Sequence, residues 1–100
     1  MPKAISDLGE IQAYIRDRLK NPDASKRIAK SILASCERLA QFPKSGMSLQ
    51  EKTGYESDQH ILFSGNYLAA YHIEGKTVLI DRILDARQDY CALLFGEVEE

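Results

Sequence analysis

Residues 81–95, DRILDARQDYCALLF, set two arginines, three aspartates and a tyrosine among apolar side chains. A guanidinium stabilises developing negative charge, and a phenol donates a proton or stacks on a base. Arg87 and Tyr90 are therefore the first candidates for a chemical site. Arg87 also has Asp85 and Asp89 within reach, and exposed ion pairs of that kind are common. Arg82, between apolar neighbours, is expected to be pinned to Asp81 or Asp85. Outside this stretch, His60 is the only plausible base at neutral pH.

Those groups need a scaffold, and the totals bound it. One hundred residues make one small domain. The chain is 44% hydrophobic and 28% charged, which is apolar enough to fold around a core rather than stay disordered. No apolar run approaches a membrane span, and no secretory signal opens the chain. Cys36 and Cys91 are too far apart for a metal motif or a disulfide framework and are expected to be buried thiols. No metal or cofactor is expected, and the simplest setting is the cytoplasm. Charge is uneven. Residues 1–52 hold ten Lys and Arg against six Asp and Glu, net +4; residues 53–100 hold three against nine, net −6.

Apolar spacing supplies the elements. Ile5, Leu8, Ile11, Ile15 and Leu19 form one helical stripe, with Pro2 suited to the first turn. Gly9 weakens that helix and is expected to admit a neighbouring backbone. Asn21-Pro22-Asp23 caps a second helix, whose stripe runs through Ala24, Ile28, Ile32, Leu33, Cys36 and Leu39. Phe42-Pro43 ends it. Residues 44–58 read as a loop. Three strands follow, HILFS from His60, NYLAAYHI from Asn66 and TVLIDRIL from Thr77, joined by turns at Gly65-Asn66 and 74–76. The third strand is apolar on both faces: Val78, Ile80 and Leu84 on one, Leu79 and Ile83 on the other. It is expected to be covered on both sides. A short helix from Asp89 to Phe95 supplies part of that cover, and the acidic tail 96–100 is expected to fray. The fold class is α+β: an N-terminal antiparallel helical hairpin packed on an antiparallel β-meander, with a short C-terminal helix.

The order AISDLGEIQAYI, NPDAS, LAQFPKSG, NYLAAYHI and VLIDRILDARQDYCALLF resembles the RelE/ParE family, the toxins of bacterial type II toxin–antitoxin pairs, also known as plasmid stabilisation proteins. The resemblance covers roughly residues 3–96. Family members usually open with a β-strand before the first helix, and MPKAISDL has no such strand. Either the start is trimmed or mis-called, or a sheet edge is left unpaired, and an open edge invites a second chain. A homodimer through this edge is expected.

The resemblance implies two chemistries. RelE-like members cleave messenger RNA at the ribosome, and ParE-like members poison DNA gyrase without catalysis. The first expectation is RelE-like, metal-independent cleavage, with Arg87 stabilising the transition state, His60 as base and Tyr90 as acid or stacking platform. The alternatives are a gyrase inhibitor and a decayed toxin that only binds its antitoxin. The two middle strands hold no Lys or Arg where RelE-like toxins carry cations, and an acidic half repels RNA. The resemblance also implies an antitoxin. Tyr67 and Tyr71 share one strand face, and a basic antitoxin segment is expected to lie on them and meet Asp81 and Asp85.

Overall fold

Asn21 starts the longest helix as the sequence predicts: its side chain accepts from the Ala24 N–H at 3.1 Å, with Pro22 behind it. The computed structural model describes residues 3–95. The expectations for Pro2 and for the tail 96–100 lie outside them. In chain order the elements are α1 (Ala4–Ala13), a π turn (Tyr14–Arg18), α2 (Pro22–Gln41), β1 (Met47–Ser48), α3 (Leu49–Thr53), β2 (His60–Ser64), β3 (Tyr67–Glu74), β4 (Thr77–Asp85) and α4 (Tyr90–Phe95). The class is α+β, and no strand precedes α1 among the described residues.

The strands form one antiparallel sheet in the order β1-β2-β3-β4. Gly65 and Gly75, both at positive φ, make the two hairpin turns. Residues 44–58 are not simply a loop. Met47 and Ser48 add a fourth strand, and Ser48 caps α3 by accepting from the Glu51 N–H at 3.2 Å. Leu49, fully buried, pins that single turn to the core. Five residues are too few to show a period.

Each face of the sheet is covered. Ala4 and Ile32 of the helical hairpin pack on Ala69 and Ile83, with Tyr67 and Ile80 beside them. On the opposite face Leu49, Ile61, Leu68, Ala70 and Leu84 cluster under Tyr90, Leu94 and Phe95. The predicted division of β4 is corrected at one point. Ala70 pairs with Arg82 but Tyr71 pairs with Ile80, so Asp81 is an extra residue in the ladder. This bulge shifts the alternation and puts Ile80 on the same face as Ile83.

The helical stripes are narrower than predicted. In the π turn the Leu19 N–H bonds five residues back, to the Tyr14 carbonyl at 3.2 Å. The wider turn shifts the phase, so Ile15 stays buried while Leu19 is 57% exposed. Ile5 and Leu33 are also solvent-facing. No backbone approaches Gly9: a Cβ there would meet nothing within 4 Å. Cys36 and Cys91 are free and only half-buried, with burial pushing the Cys36 thiol up.

Candidate functional site

Where β4 ends, the chain turns sharply. The Asp85 carboxylate accepts from the Arg87 backbone N–H at 2.8 Å and from its guanidinium at 2.9 and 2.7 Å. The hydrogen bond from the Arg87 guanidinium lowers the Asp85 pKa from its ordinary value. The Arg87 side chain is 64% exposed even so. It lines a groove of about 440 Å³ between α1, the π turn, the end of β4 and α4. Tyr14 and Tyr67 stand beside it in the groove, with Ile11, Leu19 and Leu93 as apolar wall and Glu10 at the rim. Burial, then the nearby Asp85 charge, pushes the Tyr67 phenol up.

The other arginine of the opening stretch is engaged elsewhere. Arg82 pairs with neither Asp81 nor Asp85; its Nε and Nη2 donate to the Asp7 carboxylate of α1 at 2.7 and 3.1 Å. The Ile83 N–H donates to the same carboxylate at 3.0 Å. Asp7 is buried, its side chain 8% exposed. An acid four residues before Ile11, on the apolar face of a helix, was a signal that it had a partner.

The expected catalytic set is not brought together. His60 stacks on Tyr71, ring centroids 5.4 Å apart, and pairs in the ladder with Tyr71. Asp85 pairs with Tyr67, four residues along β3 and so about 13 Å from that end. Tyr90 packs edge-on against Phe63, on the opposite face. Neither His60 nor Tyr90 lines the groove that holds Arg87.

The expected antitoxin set divides too. Tyr67 and Asp85 share the groove. Tyr71 is fully buried, its hydroxyl donating to the Pro43 carbonyl at 2.7 Å and accepting from the Gly46 N–H at 3.1 Å. It presents no surface to a partner, because its face at that end of the sheet is closed by the chain at 43–46. Asp81 lies on the opposite face, bound by Gln59 at 3.0 Å and by His72 Nδ1 at 2.8 Å.

His72, to which its place beside a turn assigns no role, is held by two carboxylates, Asp81 and, through Nε2 at 3.0 Å, Glu74. The Asp81 bond, then the Glu74 bond, raises its pKa. Both nitrogens are donors only in the imidazolium. The stability it contributes is therefore fully present below about pH 6.5 and fades as pH rises through the higher folded value. His72→Gln is expected to flatten the pH dependence of the thermal midpoint above pH 6.5. A slope equal to that of the unaltered protein would refute the assignment.

A family model of the ParE toxin of type II toxin–antitoxin systems, parDE, matches residues 1–90. The chain belongs to this family. A ParE-family toxin of a type II system implies an antitoxin partner. No curated protein matches the chain. Among the described residues no group of His, Cys, Asp and Glu is placed to hold a metal ion, and no helix is long and apolar enough to cross a membrane.

Proposed function

We propose that this ParE-family toxin inhibits growth by occupying its target, DNA gyrase, rather than by cutting messenger RNA. One observation carries the reading: the base and the acid expected for cleavage, His60 and Tyr90, both stand outside the groove that holds Arg87. Cleavage by a 2′-hydroxyl needs all three groups around one phosphate. His60 lies at the far end of β2 and Tyr90 on the other face of the sheet. The strand half of the chain, net −6, also gains nothing from contact with an RNA backbone. A groove with an exposed guanidinium, two tyrosines and an apolar wall suits protein recognition, where Arg and Tyr are the usual anchors. The antitoxin covers the same groove in this reading, with Tyr67 and Asp85 beneath it.

Purified protein is expected to block gyrase supercoiling and to leave the message intact in a reconstituted translation reaction. Arg87→Ala, whose exposed pair with Asp85 is not needed for folding, is expected to fold normally and lose the inhibition. New 5′ ends at ribosomal A-site positions, absent with Arg87→Ala, would overturn the proposal in favour of the cleaving toxin. An inert protein that still binds its antitoxin would overturn it in favour of the silent one.

A further inference from the structure

Among the described residues β4 is last in the sheet, so its outer side is an edge. Such an edge presents backbone donors and acceptors that recruit other strands. Residues 77–80, Thr-Val-Leu-Ile, are uncharged and β-prone, and a second copy of the chain offers the same run. Yet three residues further on, the outward Ile83 N–H is already taken by the Asp7 carboxylate. Arg82 neutralises that carboxylate with two bonds of its own. An unpaired carboxylate is costly to bury; this one is fixed by three donors.

We propose that Asp7 is a stand-in for a neighbouring strand. By supplying the oxygen that a strand carbonyl would supply, it closes the β4 edge and holds the chain back from pairing with a second copy. The edge homodimer expected from the sequence then requires Asp7 to let go first.

The test separates the acceptor from the ion pair. In Asp7→Leu/Arg82→Met both charges are replaced by apolar groups of similar size, a change buried pairs often tolerate, and Ile83 loses its acceptor. In Asp7→Asn an amide oxygen remains for it. In sedimentation at tens of micromolar the native chain and Asp7→Asn are expected to be monomers, and the double variant a dimer. At high dilution the Ile83 amide should exchange about tenfold faster in the double variant than in the native chain, the equivalent of one net hydrogen bond. A folded double variant that stays monomeric overturns the proposal, as does association shown equally by Asp7→Asn. Should the double variant not fold, the native chain decides: an Ile83 amide exchanging as fast as those of exposed turns would equally overturn it.

Discussion

Asp7→Ala is expected to melt roughly 15 °C below the unaltered protein, a loss of about 3 kcal/mol. The side chain makes three bonds that no other group among the described residues replaces. Removing it leaves the Arg82 guanidinium, 23% exposed, without its counter-ion and the Ile83 N–H without an acceptor. Breaking a fully buried pair costs about 3–5 kcal/mol, and the partial exposure of Arg82 places this one at the lower end. A domain of this size holds roughly 5–15 kcal/mol in all, so the variant survives with a narrow margin. Denaturant unfolding would check the value. A change below about 1 kcal/mol, the worth of one ordinary hydrogen bond, would mean that water replaces Asp7 readily and that the α1–β4 joint is loose. Exchanging Arg82 for methionine in the same chain should recover part of the loss, since the stranded charge goes with it.

Gly46→Ala is the second large effect, at about 2–3 kcal/mol. The reason is space. A Cβ at this position would lie 2.6 Å from the Ile61 carbonyl oxygen and 2.6 Å from the Tyr71 hydroxyl. Neither can withdraw. Ile61 is held in β2 between two paired strands, and the Tyr71 phenol is tied to the Pro43 carbonyl. The added methyl also threatens the Gly46 N–H bond to that phenol. Tyr71→Phe in the Gly46→Ala background should show a coupling of about 1 kcal/mol or more, because the phenylalanine removes the hydroxyl and leaves only the ring carbon, 2.9 Å away, and the Ile61 oxygen in the way. Strict additivity of the two changes, measured by chemical unfolding, would show that the hydroxyl takes no part in the clash.

Much of this fold was legible. Period-two runs at His60, Tyr67 and Thr77 and the glycine turns between them gave the three long strands, and Asn21-Pro22 gave the start of α2. Strands and capped helices announce themselves because one local rule acts over many residues. What stayed hidden was set by single residues or by distant ones. The turn of α3 rests on Ser48 and Leu49, although Ser-x-x-Glu at 48–51 has the spacing of a capping box. The bulge at Asp81 shifts the face of every residue before it in β4, and no pattern in TVLIDRIL marks the extra residue. Tyr67 and Tyr71 do share a face, as alternation requires, but only the path of residues 43–46 decides that one lines a groove and the other is sealed. The site was half legible for the same reason. Arg87 with Asp85 is a local pair two residues apart; Arg82 with Asp7 joins residues 75 apart, and sequence proximity favoured the wrong acids.

That separation has a consequence for how the molecule is made. The helical hairpin and the two β-hairpins close over short stretches of chain, whereas the Asp7 joint ties α1 to a strand residue 76 positions further along. Long closures cost more entropy and come late. On a ribosome α1 emerges well before β4 and waits, its aspartate still hydrated, until that strand has been synthesised. A nascent chain stalled before residue 82 would contain α1, α2, α3 and most of a sheet, but not the bond that locks α1 to β4. In this toxin the native state is therefore completed at its edge, by the last strand meeting the first helix.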